Sequence, residues 1–484
     1  MSISNALTNA LSGLTASARS AQVVSSNIAN ASTEGYARRS LSQSASVYGF
    51  SGGVRLDGVT RHANPVAVAE RRLADAGSQF ATGTNSFYSR LERVLGTPDS
   101  ADSLSGVMAT FESTLATATG APDSDIRLKN IALDAENIVK KFNVASDDIQ
   151  TMRSDADSNI SKMIDDLNGL LEQTQDMNRK IFRAMSSGQE TAGLEDARGL
   201  LIDRIGELVP VRLAPRDNGA VALYTTTGAT LLDGTAVEVS FNESSIIEPH
   251  MTYAAGLLSG VEINGRPVRI DSERGALAGG AIGAQFAIRD ELGVEAQADL
   301  DAAARSLVER FQNTTTDPTL TAGDPGLFTD AGAAFATSDE VGLAGRLELN
   351  NLVDLDGAGE TWRLRDGLGA AAPGDAGDAT QLNRMLDVMQ EQIAPPSGSF
   401  GPKTVSMTEL SGKLLSNVSG ARVTSDRDLA FANSQLASLE NLELQDGVDT
   451  DQELQRLMLI EQAYAANARL IQAADEMLDS LMRL

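Results

Sequence analysis

The chain opens on a helical pattern. Ile3, Leu7, Ala10, Leu14, Ser17, Ala21, Val24 and Ile28 alternate at spacings of four and three residues, the seam of a coiled-coil-like helix. The last pattern mirrors the first, with Leu457, Ile460, Tyr464, Asn467, Ile471, Ala474, Leu478 and Leu481 alternating at three and four. Ser17 and Asn467 are the polar members of the two seams. Thr450 followed by Glu453 reads as a capping box for the second helix, and Asp449 and Asp451 suit the positive end of its dipole. At 1.5 Å per residue the first seam spans about 39 Å and the second helix about 55 Å. Neither helix hides its stripe alone, so both ends need a partner surface, either each other or a neighbouring molecule.

Between these ends the period changes several times. Asn64 before Pro65 predicts an N-cap with proline in the first turn, and Gly96 and Pro98 close that helix, whose apolar face runs Val66, Ala69, Leu73, Ala76, Phe80, Phe87, Leu91 and Val94. A three-four rhythm from Ile138 to Ile181 predicts a longer helix, and another through Leu200 to Leu208 stops at Pro210. The period then becomes two at Val237, Val239 and Phe241, with turn dipeptides at Asn218-Gly219, Asp233-Gly234 and Asn264-Gly265. Helix returns with Ala296, Leu300, Ala303, Leu307 and Phe311. A loop follows over 313–332, then a short β-like piece over 347–364 carrying Trp362. Helix resumes from about residue 379 and includes Leu429, Ala432, Leu436 and Leu439.

These elements predict a mainly α fold with inserted β domains: an elongated multi-domain rod with paired N- and C-terminal helices, a long helical bundle and small antiparallel β modules. The expected domains are a terminal coiled-coil-like assembly domain (1–40 and 448–484), a helical bundle (60–210, 276–312 and 375–447), an antiparallel β domain (211–275) and a loop-rich, β-containing insertion (313–374). The residues expected at the assembly interface are Ile3, Leu7, Leu14, Ala21, Val24, Ile28, Leu457, Ile460, Tyr464, Asn467, Ile471, Leu478 and Leu481.

Composition narrows the chemistry. The 484 residues suit about three domains. Lys and Arg number 39 against 66 Asp and Glu, a net charge of −27, the wrong sign for a phosphate-backbone binder. Residues 1–40 hold Arg19, Arg38 and Arg39 against Glu34, whereas 448–484 hold Arg456, Arg469 and Arg483 against seven acids, so the two ends attract each other. The lack of cysteine excludes disulfides, thiolate metal sites and cysteine nucleophiles. His62 and His250 are the two histidines, both expected in exposed loops. No stretch has the length of a membrane span, and no base precedes Arg19 to form the charged start of a cleaved secretory signal.

Several local patterns resemble chemical motifs without matching them. The run from Gly275 to Gly283 lacks a Walker lysine and fits a turn or packing role. Asp354, Asp356 and Glu360 lack the spacing of a calcium loop, since Arg365 stands at its final ligand position, and they read as a solvated turn. Asp165-Asp166 is ordinary for a helix face in so acidic a chain. No catalytic, cofactor-binding or metal-binding residue is expected.

The wording of both ends carries a resemblance. Ser25-Ser-Asn-Ile-Ala-Asn-Ala-Ser-Thr-Glu-Gly-Tyr-Ala-Arg38 resembles the N-terminal segment of bacterial flagellar rod, hook and hook-associated proteins. Glu461-Gln-Ala-Tyr-Ala-Ala-Asn-Ala-Arg-Leu-Ile-Gln-Ala-Ala-Asp-Glu-Met-Leu-Asp479 looks like the C-terminal helix of the same class. The extensive helical region before the β insertions is similar to that of the hook-filament junction family, as is Leu194-Glu-Asp-Ala-Arg-Gly-Leu-Leu-Ile-Asp-Arg-Ile205. The resemblance implies a non-enzymatic structural subunit, exported by the flagellar type III apparatus and extracellular at the hook-filament junction. The partners it implies are further copies of the chain, the hook protein, the next hook-associated protein and an export chaperone at the C-terminal helix. It implies no membrane insertion. A hook or distal rod subunit is the alternative within the class. An enzyme or binding module in the β domain, or a cytoplasmic helical scaffold, is the alternative outside it.

Overall fold

The computed structural model describes residues 3–45, 52–272 and 274–482. In chain order the elements are α1 (Ile3–Ala29), β1 (Arg38–Ala45), β2 (Val54–His62), α2 (Pro65–Leu95), α3 (Leu104–Thr119), α4 (Asp125–Ser186) and α5 (Ala192–Leu208). Seven strands follow: β3 (Val211–Pro215), β4 (Val221–Thr225), β5 (Thr230–Asp233), β6 (Thr235–Ala236), β7 (Val239–Phe241), β8 (Val261–Ile263) and β9 (Arg266–Val268). The remainder is α6 (Gly280–Ala287), α7 (Gly293–Gln312), β10 (Phe328–Asp330), α8 (Leu343–Arg346), β11 (Leu347–Leu349), α9 (Arg363–Asp366), α10 (Thr380–Gln390), α11 (Met407–Gln445) and α12 (Thr450–Met482). The fold is mainly α with small antiparallel sheets inserted, as the periodicity predicts.

The residues form two compact units: Met1–Ser78, Asp165–Val239 and Ala432–Leu484 make the first, and Gln79–Ile164 with Ser240–Phe431 make the second. In the first unit, Asn64 caps α2 as predicted, its Oδ1 accepting from the amides of Val66 (3.1 Å) and Ala67 (3.2 Å). The sheet β3-β4-β5-β6 turns at the predicted dipeptides. Asn218 and Gly219 both have positive φ, the conformation that favours Asn-Gly. Amide side chains of α4 satisfy backbone groups along the strands. Asn168 bonds both the N–H and the C=O of Val239, Gln175 accepts from the N–H of Ala236, and Asn178 bonds both groups of Val221. These positions recur at helical spacing, so one helix face supplies the donors and acceptors that a further strand would otherwise provide.

The second unit buries an extended core. Phe111, Phe311 and Phe328 meet at centroid distances of 5.2–6.0 Å, in one buried cluster with Met108, Leu115, Phe142, Leu307 and Leu410. Beside this apolar core lies a polar cluster. Arg289 and Asp157 are fully buried and pair at 2.6 Å, and Arg289 also holds Asp290 at 2.7 Å. Arg153, equally buried, donates to the carbonyls of Arg289, Glu248 and Met251, which fixes the segment before β8 to α4. Desolvation lowers the Arg153 pKa to about 10.

Two expectations, the first and third, need correction, and two elements, the second and fourth, were not expected. First, α4 is 62 residues long and extends beyond 138–181 at both ends. Second, a separate helix, α3, precedes it, capped by Ser103 Oγ accepting from the Gly106 amide at 3.1 Å. Third, the 347–364 piece is strand only at β11, which pairs with β10 inside the segment expected to be loop. Asn350 and Asp354 turn the chain instead, accepting from the amides of Leu352 and Asp356, a local alternative to strand pairing. Fourth, a β1-β2 hairpin follows α1, although its strands are too polar for a period-two signal.

The buried ion pair yields a test. Asp157→Ala would leave Arg289 desolvated with one carboxylate fewer, a cost of about 3–5 kcal/mol. Urea denaturation of the variant is expected to show a lower midpoint.

Candidate assembly interface

The terminal helices pair within the first unit. Asn27 of α1 bonds Glu453 near the start of α12, and Gly13 faces Asn467 further along it. Moving backward along α1 thus moves forward along α12, so the pair is antiparallel. A Cβ at position 13 would stand 2.8 Å from Asn467 Nδ2, so glycine allows the close approach there.

Asn27 ties the near end of this pair. It is fully buried. Its Oδ1 accepts from the Arg39 N–H (3.0 Å) and the Tyr36 hydroxyl (2.9 Å), and its Nδ2 donates to the Arg39 carbonyl (2.8 Å) and Glu453 Oε2 (3.0 Å). Both donors and both acceptor sites of the amide are used. One side chain therefore joins the end of α1, the turn after it, the first residues of β1, and α12. Gly35 makes the turn possible: its φ is +73°, and a Cβ there would lie 2.7 Å from the Leu200 side chain.

The segment 194–205 supports the same end. Asp196 receives Arg39 and Arg61, each at 2.7 Å, and Asp203 receives Arg71 and Arg72, each at 2.6 Å. Arg198 donates to Asn178 and to the Gly219 carbonyl, which links α5 to α4 and the β3-β4 turn.

The capping box expected at α12 is replaced by another arrangement. Asp449 Oδ1 accepts from the amides of Asp451 (2.9 Å) and Gln452 (3.2 Å), so Asp449 is the cap. Glu453 turns inward, 1% exposed, where Asn27, Arg456 at 2.6 Å and Arg38 at 3.9 Å engage it. His62 also differs from expectation. It is the last residue of β2, partly buried, with its ring Nε2 2.6 Å from Ser40 Oγ. His250 is exposed as expected.

Of the seam residues, Ala10, Ser17, Val24 and Ala474 are buried, and Ile3, Leu14, Ala21, Ile28, Leu457, Ile460, Asn467 and Ile471 are half-buried. Leu7, Tyr464 and Leu478 stay exposed. Leu481 belongs to α12, but its side chain lies outside the described residues. A second stripe runs one position before the seam: Leu459, Ala463, Ala466, Leu470, Ala473 and Met477 alternate at four and three, and all six are exposed. Leu459 is 65% exposed and Leu470 59%. The spacing of this stripe is present in the sequence, but a reading that follows one seam per helix passes over it.

Known proteins carry the same segments. Residues 88–327 match the flagellar hook-associated protein FlgK helical domain, residues 445–484 the C-terminal domain of flagellar basal body rod FlgEFG proteins, and residues 7–36 the flagella basal body rod protein family. The flagellar hook-associated protein 1 of Bacillus subtilis (strain 168) is 23% identical over 508 residues, covering 98% of this chain and 97% of the relative. That of Escherichia coli (strain K12) is 22% identical over 558 residues, covering all of both. The chain is similar to flagellar hook-associated protein 1 over its full length. A solved flagellar hook junction protein FlgK from Burkholderia pseudomallei aligns over 54% of this chain and 46% of its own at 17% identity and a TM-score of 0.43.

In keeping with these matches, the chain is a structural component of the bacterial flagellum. Its two rod-type segments, 7–36 and 445–484, fall on α1, the turn after it, and α12. The residues joined by Asn27 therefore lie in or beside the parts matched to rod proteins. The Asn27 node can be tested directly. Asn27→Ala would strip buried partners from Glu453, Tyr36 and Arg39, at about 1–3 kcal/mol for a buried group left unsatisfied. Hydrogen exchange is expected to show faster exchange in α1 and the first turns of α12, with core amides such as those around Phe142 unchanged.

Proposed function

We propose that this hook-associated protein forms the junction between hook and filament, assembling through its terminal helices after export by the flagellar type III apparatus. The observation that carries this reading is the second stripe of α12, apolar and exposed although α12 is already paired with α1. Covering Leu459, Leu470 and Met477 contributes about 1 kcal/mol each at 25 cal/mol per Å², and a helical array of copies repeats that gain at every subunit. The seam residues Ile3, Leu7, Leu14, Ala21, Val24, Ile28, Leu457, Ile460, Tyr464, Asn467, Ile471, Leu478 and Leu481, with this stripe, make up the proposed interface.

Residues 1–40 and 448–484 act as the assembly domain in this scheme. The hook protein and the next hook-associated protein are its neighbours, and an export chaperone covers α12 before secretion. The mature protein is extracellular, and its work is mechanical rather than catalytic. The match to the helical domain over 88–327 favours the junction over a hook or distal rod subunit, since the rod-type segments alone fit either.

Immunolabelling of isolated filaments with their hooks attached is expected to give one band at the junction. Label along the hook or rod would assign the protein there instead. A chain lacking residues 3–29 and 450–482 is expected not to enter flagella. Normal incorporation of that chain would overturn assembly through the terminal helices.

A further inference from the structure

The tied end of the helix pair carries a groove of about 440 Å³. Its apolar lining is Val23, Val24, Leu41, Leu459 and Ile460, and three guanidinium groups, Arg38, Arg39 and Arg456, surround it with Glu453. Arg38 and Arg456 share the single carboxylate of Glu453, and Arg39 shares Asp196 with Arg61. Positive charge is thus in excess at the groove itself, in a chain whose net charge is −27. Arg39 Nε is also buried without a hydrogen-bond partner among the described residues.

The opposite end of α12 has the complementary character. Residues 475–482 hold Asp475, Glu476 and Asp479 and no base, and all three acids are exposed. Met477, Leu478 and Met482 are exposed between and beyond them, at 49%, 40% and 81%. This tip presents apolar side chains flanked by carboxylates. The groove presents an apolar lining flanked by guanidinium groups.

We propose that the groove receives the last two turns of α12 from a second copy of this chain, with Met477 and Leu478 against the apolar lining and Asp475, Glu476 and Asp479 facing Arg38, Arg39 and Arg456. The inference rests on the assembly reading above and names the contact within it. One copy cannot fill its own groove, because Met477 lies about 27 Å further along the same helix than Leu459. Two different patches meet, so the contact is heterologous and propagates from copy to copy instead of closing a dimer. Charge complementarity fixes the direction, because groove against groove or tip against tip brings like charges together.

The absence of cysteine makes a clean test possible. A chain with Leu459→Cys and Met477→Cys, both at exposed positions, would replace the native chain in cells, and the sheared flagella would be treated with a bis-maleimide shorter than the separation within one helix. A ladder of covalent multimers is expected from the two-cysteine chain, and none from either single-cysteine chain. Adding Asp475→Lys and Glu476→Lys, which touch nothing the fold needs, is expected to lower the ladder yield tenfold or more. No ladder from flagella that contain the two-cysteine chain would overturn the proposal, as would dimers from a single-cysteine chain or linkage of Leu459→Cys to a different protein. If a chain without its terminal helices enters flagella, the assembly reading itself fails. If entry requires those helices yet no ladder forms, the groove assignment alone fails.

Discussion

The first unit depends on one buried amide whose hydrogen-bonding capacity is fully used. Asn27 bonds the backbone of Arg39 on both sides, the Tyr36 hydroxyl and Glu453, so the end of α1, the chain reversal, β1 and α12 share a single side chain. Carboxylates cannot replace it, because they have no donors, and hydroxyls cannot, because they have too few. Glu453 completes the arrangement from the other helix. A carboxylate this buried is tolerable only when it is multiply engaged, and Asn27, Arg456 and Arg38 provide that engagement. The node therefore fixes the register of α1 on α12 by chemistry as well as by shape.

That node was half legible in the sequence. The Asn-Ile-Ala-Asn wording and the Gly-Tyr turn marked the segment, and the heptad spacing found both helices and their pairing. The role of Glu453 was misassigned, because a Thr-x-x-Glu pattern at a helix start describes a local cap while the actual partner lies 426 positions away. The β1-β2 hairpin was missed for a related reason. Its residues alternate weakly, and α1 and Asp196 hold it in addition to its own pairing. By contrast, the turns at Asn218, Asp233 and Asn264 were legible because each places a glycine of positive φ directly after an Asn or Asp. The outward stripe of α12 had a readable spacing, yet only the fold distinguishes the stripe facing α1 from the one left bare.

A scarcity of aromatics shapes the remainder. With large rings in short supply, the chain joins its elements through polar side chains that reach backbone groups. Asn168, Gln175 and Asn178 serve the strands of the first unit, and Arg153 and Arg310 each donate to three carbonyls on two separate segments in the second. Such bonds add little net stability individually, but a displaced segment would leave several buried groups unsatisfied at once. They therefore select one arrangement more strongly than apolar packing alone would. For a subunit that repeats in an array, uniformity of shape matters more than an extra margin of stability.

The antiparallel pair is consequently uneven along its length. At the Asn27 end, buried polar contacts, the hairpin and α5 all converge. At the other end α1 contributes exposed Leu7 and Leu11, and α12 contributes Met477, Leu478 and Met482. Helix ends that leave such apolar side chains bare gain stability from whatever covers them. In the proposed contact, the tied end would act as a preformed socket and the bare end as the part that it receives. Pre-organising one partner of each contact lowers the entropy lost at every addition, and leaving the other adaptable lets the same chain meet neighbours of slightly different geometry. In the junction proposed above, between two unlike tubes, a subunit would require that combination.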